Sequence, residues 1–396
     1  MDRRSFLKSC CGMAAAFLAM NSVYGGIFSV GSAEAEDAGI SEARRAGFKD
    51  QFIFDVQTHF VRSGSSFEGI LALRSLAKRW NPDLKDEKTT PDKIRYDNYI
   101  RELFEESQTT LALLSSAPSD DPEKWFLRND EIASARKTIN EKTGSKRVFS
   151  HAVFTPGRPG WMEDLDRAIS EYKPDSWKGY TIGTPFSESK WPWRLDDEKL
   201  VYPAYEKMQK AGIVNVCIHK GLLPSGYKEK FKSTWQYAGV DDLGKAAKDW
   251  PELNFMIYHS AIRQFGIPEE EDVRVFEEKG YIPWVSDLAQ IPERFGVKNV
   301  YAELGSVFAI TALSNPRYCT GILGTLIKGL GTDKVLWGTD SVFYGSPQWQ
   351  IEALRRIEIP EDLRKKFGYE PLGPADGRVK NAILGKNAAR IYRVKV

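Results

Sequence analysis

Residues 52–59 read FIFDVQTH, a short β-rich run ending on two metal-type side chains, Gln57 and His59, two positions apart and so on one face of an extended strand. Three further runs have the same form. VNVCIH ends on His219, FMIYH on His259 and VLWGTD on Asp340. The chain has four histidines, and three of them stand at the C-terminal end of a predicted strand. That end is where a parallel (β/α) barrel assembles its active site. The fourth, His151, opens HAVF too early in its strand to reach that end, and reads as structural.

Working outward, eight runs of strand character recur at intervals suited to βα units: 52–57, 109–115, 147–154, 176–182, 213–219, 254–259, 299–304 and 334–340. Eight strands close a parallel barrel. Helical patterns lie between several of them. Residues 198–211 place Leu200, Val201, Tyr205 and Met208 at helical spacing, with Gly212 as a stop. Residues 123–140, 161–172, 307–328 and 379–392 read likewise, the last with Gly385 as a weak point. The strands lack the strict alternation of a one-sided antiparallel sheet. The expected fold is therefore an α/β (β/α)8 TIM barrel with insertions after strands one and five, at 60–108 and 220–239. Long connections at the catalytic face act as lids and specificity walls. The first carries Arg62, Arg74, Arg79, Trp80 and Arg95, and the second Lys220, Tyr227, Trp235 and Tyr237.

The N-terminus, MDRRSFLKSCCGMAAAFLAM, pairs Arg3 with Arg4 before an apolar run and the small-residue site Ala33-Glu34-Ala35. This reads as a twin-arginine export signal cleaved after Ala35, leaving a periplasmic domain at 36–396. A membrane anchor fits less well, because apolarity fails near Asn21 and Ser22 and a spanning helix needs about 20 apolar residues. Lys8 and Ser9 argue against lipidation at Cys10 or Cys11. Cys217 and Cys319 are expected as buried free thiols, and no cysteine cluster has zinc-finger spacing. A formal charge of +2 gives no nucleic-acid or membrane-surface signature. The expected partner is a small-molecule substrate, with no nucleic acid and no stable membrane anchor after cleavage; a homodimer is allowed for.

The segments Asp55-Val56-Gln57-Thr58-His59, Ile218-His219, Tyr258-His259-Ser260 and Trp337-Gly338-Thr339-Asp340-Ser341, with the ending Ile383 to Tyr392, together resemble the amidohydrolase superfamily. The resemblance is to the branch around aminocarboxymuconate-semialdehyde decarboxylase, amidohydrolase family 2, and runs from about residue 50 to the C-terminus. It implies that His59, His219 and Asp340 hold one divalent metal ion, zinc in the first instance with manganese or iron as alternatives, and that His259 is the general acid/base with Asp340 orienting the attacking water. Gln57 departs from the pattern. The branch carries His-x-His on the first strand, and a carboxamide oxygen is a weaker, uncharged ligand.

Taken alone, each residue also has a plain structural reading, and for Asp340 followed by Ser341 that reading is a helix cap. Arg62 and Arg263 could clamp a substrate carboxylate, and Glu303 could hold a substrate hydroxyl, although structural ion pairs are the commoner use of such residues. Ser306 follows the same strand as Glu303. Lys178 suggests the carboxylated lysine of dinuclear relatives, but the branch lacks it, and a snorkelling or ion-paired lysine is the ordinary outcome. Three functions follow as expectations. The first is a metal-dependent hydrolase of a small ester, lactone or amide. The second is a non-oxidative decarboxylase on the same site. The third, motivated by Gln57, is a metal-free binding protein that kept the barrel.

Overall fold

A computed structural model describes residues 10–64, 67–79, 81–183 and 187–396. The paired arginines Arg3 and Arg4, and Trp80, lie outside the described residues. Eight strands form one parallel sheet in sequential order: β1 Phe54–Thr58, β2 Leu111–Leu114, β3 Val148–Val153, β4 Ser176–Tyr180, β5 Asn215–His219, β6 Asn254–Tyr258, β7 Val300–Glu303 and β8 Val335–Leu336. The order needs no crossing connection, and seven of the eight predicted runs contain their strand, the first falling one residue short of Thr58. Nearly every strand residue is buried, as expected where helices cover one side of a parallel sheet and packed side chains fill the other.

The barrel closes between its first and last strands. Val56 N–H donates to the Trp337 carbonyl at 2.9 Å, Asp340 N–H to the Gln57 carbonyl at 2.9 Å and Val342 N–H to the His59 carbonyl at 3.1 Å. This seam sets Gln57, His59 and Asp340 side by side, because the same backbone bonds that close the cylinder fix their register. Just N-terminal to the site residues on their strands, Phe149, Cys217 and Met256 pack with Phe54 and Tyr392 and fill the interior. Cys217 and Cys319 are buried free thiols.

The helices follow the periodicity with local differences. The predicted span 307–328 is broken into Val307–Ser314 and Pro316–Leu330. Pro316 has no N–H to continue the first helix, and the Asn315 side chain caps the second by accepting from Tyr318 N–H at 3.0 Å. The closing helix passes through a wide turn at Ala382–Lys386, where a Cβ on Gly385 would lie 2.6 Å from the Phe52 carbonyl oxygen. The expected helix at 123–140 begins only at Asn129.

The two insertions build the mouth. The first supplies the helix Glu68–Ala77, anchored by Arg74, which is fully buried. Arg74 donates bidentately to Glu87 at 2.7 and 2.9 Å, to Glu102, and to the Val342 carbonyl of the loop after β8. The second turns on Lys220, buried and paired with Asp242 at 2.9 Å. Ahead of the barrel, the helix Cys10–Tyr24 and the short helix Ser32–Glu36 pack on it. Phe17 stacks on Phe28 at 4.7 Å, Phe28 bridges Ile357, and buried Glu34 pairs with Arg356. No helix of the described residues is long and apolar enough to cross a membrane.

Candidate active site

Gln57, His59, His259 and Asp340 meet around one point at the C-terminal mouth. The Gln57 amide nitrogen lies 3.1 Å from Asp340 Oδ1 and 3.5 Å from the Nε2 atoms of both His59 and His259. His59 Nε2 is itself 3.0 Å from Asp340 Oδ1. His219 joins from the far side through His259, its Nδ1 3.0 Å from His259 Nε2, and stacks on Tyr180 at 4.5 Å. The expected mutual approach of His59, His219 and Asp340 is thus seen directly for His59 and Asp340, while His219 contacts the group by way of His259.

Backbone carbonyls set the tautomers. His59 Nδ1 is 3.1 Å from the Ser115 carbonyl and His259 Nδ1 is 2.8 Å from the Gly305 carbonyl. A carbonyl only accepts, so Nδ1 carries a proton in each ring and Nε2 is the nitrogen that faces the site. The backbone at His259 and Asp340 is left-handed, with φ near +61° in both. Such conformations cost on the order of 1–3 kcal/mol in non-glycine residues and persist where surrounding structure imposes them. Here the imposed turns aim both side chains inward.

Burial and neighbours then fix the charges. Burial pulls His259 down to about 4 and holds His219 and His151 well below the usual imidazole range. Burial pushes the other way on Asp340, but the hydrogen bond and charge of His59, then His259 and the Ser306 hydroxyl, hold it at about 2. At neutral pH the mouth therefore contains an ionised carboxylate beside a neutral His259. Ser306 donates to Asp340 Oδ2 and contacts Tyr344 at 2.9 Å. Tyr180 and Tyr344, which sequence reasoning missed, line the cavity together with Ser306. Tyr180 could have been found two positions beyond Lys178, on the same face of β4.

A layer of polar groups lies below. Glu303, raised to about 8 by burial against the N–H groups of His259 and Gly305, accepts from those two amides at 3.0 and 2.5 Å. Its carboxylate fits only because residues 305 and 338 are glycines: a Cβ on Gly338 would lie 1.7 Å from Glu303 Oε1. His151 bridges Ser115 Oγ at 2.8 Å and the Tyr258 hydroxyl at 3.1 Å. Lys178 is neither snorkelling nor ion-paired. Its ammonium sits 3.3 Å from the Tyr258 ring centre, without a hydrogen-bond partner among the described residues, and burial lowers it to about 8.

The structure corrects the three expected substrate contacts. Arg62 reaches outward to Glu123 at 3.3 Å, Arg263 is held bidentately by Asp272 at 2.8 and 2.9 Å, and Glu303 lies beneath the site. None of them lines the cavity.

The site's fit to a metal ion is mixed in geometry and favourable in chemistry. Among the described residues no three His, Cys, Asp or Glu side chains close on one metal-sized point. Two do: His59 Nε2 and Asp340 Oδ1 face each other as electron-pair donors at 3.0 Å, a contact that needs a cation or a proton between them. Adjacent ligands of one ion can lie this close at bond lengths of about 2.0–2.2 Å. The third side is Gln57. Its buried Oε1 has no hydrogen-bond partner, and a Cβ on Gly305 would meet that atom at 2.4 Å and Glu303 Oε1 at 2.5 Å, so two acceptors share the space over that glycine. Turning the amide by half a rotation would give Nε2 an acceptor in Glu303 and set Oε1 against Asp340 Oδ1 and the two imidazole nitrogens, an arrangement that only a cation at that point would satisfy.

The amidohydrolase family pattern matches residues 145–394. The chain belongs to the amidohydrolase family. It is an enzyme of the hydrolase or decarboxylase-like kind. Among solved structures it is similar to an uncharacterised TIM-barrel protein of Bordetella bronchiseptica, with TM-score 0.54 and 13% identity over 86% of this chain and 99% of that one. It is also similar to 5-carboxyvanillate decarboxylase of Novosphingobium aromaticivorans, with TM-score 0.50 and 12% identity over 88% and 97% of the two chains. That decarboxylase is complexed with manganese and 4-hydroxy-3-methoxy-5-nitrobenzoic acid. At such identities the likeness concerns the barrel. No curated protein matches this amidohydrolase.

Proposed function

We propose that this amidohydrolase is a metal-dependent hydrolase that breaks the acyl C–O or C–N bond of a small ester, lactone or amide by adding water at its carbonyl carbon. The observation that supports the reading most is the 3.0 Å contact of His59 Nε2 with Asp340 Oδ1, two electron-pair donors turned on each other beside a neutral imidazole. His59, Asp340 and Gln57 would hold one divalent ion, with His219 on the far side of the group. A bound divalent ion lowers the pKa of water or polarises a carbonyl. Zinc suits the imidazole nitrogens, and manganese is the ion of the Novosphingobium enzyme.

The protein's own groups supply the rest. Asp340, ionised, accepts a hydrogen bond from an attacking water and aims it. His259 takes a proton at Nε2 and returns it to the leaving group. The His259 Nδ1–H bond to the Gly305 carbonyl fixes the ring for both transfers, and the neighbouring Asp340 carboxylate favours the imidazolium that forms between them.

Elemental analysis of protein purified without chelator, together with a screen of esters, lactones and amides with and without added Zn, Mn or Fe, tests this. Near-stoichiometric metal and turnover lost on chelation are expected. Protein that is metal-free in repeated preparations and inert would favour the third reading, a binding protein on the same barrel. Decarboxylation is the second reading, supported by the reaction of the Novosphingobium relative, and release of CO2 would identify it. The absence of Arg62 and Arg263 from the cavity wall speaks against a carboxylate clamp of that kind. The reading also places the enzyme in the periplasm by way of the twin-arginine motif, and the N-terminal mass of protein recovered from that compartment tests it.

A further inference from the structure

The cavity above the site encloses about 290 Å³, small-molecule size, and its wall is apolar. The helix Glu68–Ala77 presents Ile70, Leu73 and Leu76, three and six positions apart and so along one face, with Phe126, Phe265 and Phe343 opposite. Among the described residues no arginine lines it. Of those in or near the insertions, Arg62 is engaged with Glu123, Arg74 with Glu87 and Glu102, Arg95 with the Val61 and Arg62 carbonyls, Arg101 with Glu106 and Arg263 with Asp272, while Arg79 is exposed and off the cavity wall. Lys230, exposed, is the one Lys or Arg on the wall among the described residues.

We propose that the substrate is an uncharged carbonyl compound with a hydrocarbon body, such as an aryl or alkyl ester or lactone. Its carbonyl lies at Asp340 and His259, and its body lies along the Ile70–Leu73–Leu76 face. This rests on the reading that the site attacks a carbonyl, and it adds which molecules reach it. An anionic tail would give up its hydration for a wall whose one cation is the exposed Lys230 at its rim, whereas an apolar tail gains from leaving water at the leucine, isoleucine and phenylalanine side chains. Gly69 and Ala72, both small, line the same wall.

Binding of two non-hydrolysable ketones of similar size, neutral 4-phenylbutan-2-one and anionic 4-acetylbenzoate, separates this proposal from the hydrolase reading because it requires no turnover. Calorimetry of the metal-supplemented full chain is expected to show the neutral ketone binding at least tenfold more tightly. Leu73→Asp should remove that preference. Ala72→Trp, at an exposed helix position where the fold tolerates bulk, should weaken the neutral ketone at least tenfold with an unchanged melting temperature. Tighter binding of the anionic ketone, equal binding of both, or no binding of either at millimolar concentration would overturn the proposal. Neutral-selective binding with no ester, lactone or amide turnover would leave it standing and count against hydrolysis.

Discussion

The Gln57 amide nitrogen occupies the point on which His59, His259 and Asp340 converge, so this residue decides how the mouth handles a cation. An imidazole is the stronger zinc ligand. Gln57→His is expected to slow metal loss under chelator challenge, read by metal content against time, with turnover unchanged or lower because the bound water would face a different ligand field. Equal retention in both proteins would show that Gln57 does not face the ion. A second pair of variants separates the histidines. His219→Ala should lower metal content and activity together, whereas His259→Ala should keep the metal and lower turnover by roughly 10²–10⁴. The third expectation concerns pH. A base must be unprotonated to act, so with His259 at about 4, kcat/KM should hold from neutrality to about pH 5 and decline below that. An imidazole with the ordinary value of about 6.5 would begin its decline near pH 7, and a profile of that form would remove His259 as the base.

At the level of elements, the helix Glu68–Ala77 is held to the barrel by one buried side chain. Arg74 neutralises Glu87 and Glu102 and caps the Val342 carbonyl. Arg74→Met would leave the buried Glu102 carboxylate with only Asn98 and the distant Arg101, and Glu87 with Lys93 alone, a change worth up to about 3–5 kcal/mol for a broken buried ion pair. A markedly lower melting temperature and weakened ligand binding are expected, while an unchanged melting curve would mean that the helix is not secured there. The strand ends were legible because a parallel strand buried on both faces leaves an unbroken apolar run, and a polar residue closing that run stands out. FIFDVQTH and VNVCIH show their purpose in the residue types alone. The lid helix was not legible in this way: its segment drew attention through its arginines, yet Arg74 serves the fold and the wall is made by Ile70, Leu73 and Leu76. Tyr180 was hidden for a related reason, since an aromatic residue in a strand is ordinarily core. Which partner satisfies an arginine depends on contacts such as Arg263 with Asp272 and Arg62 with Glu123. Part of that information lies far off in the chain, and sequence spacing does not carry it.

For the molecule as a whole, the barrel was readable from eight runs and their order, whereas the placement of residues 10–35 was not. Met13, Phe17, Ile27 and Phe28 join the main apolar cluster, Ser29 N–H donates to the Arg356 carbonyl and Glu358 N–H to the Ile27 carbonyl. At about 1.5–3 kcal/mol for each fully buried large apolar side chain, a chain starting at Glu36 is expected to melt at a lower temperature than the full chain; identical melting curves would show that the segment contributes nothing to the domain. The bond after Ala35 lies within the helix Ser32–Glu36, where the Ala35 carbonyl accepts from the buried Cys11 thiol at 2.8 Å and Glu34 is locked onto Arg356. If the proposed cleavage after Ala35 occurs, the bond must leave this helix to be cut, so cutting at Ala35 and seating of this segment are mutually exclusive. Removal would then be a race: any molecule whose segment settles onto the barrel before cleavage keeps it, and the ratio of long to short forms would record how quickly that surface is claimed.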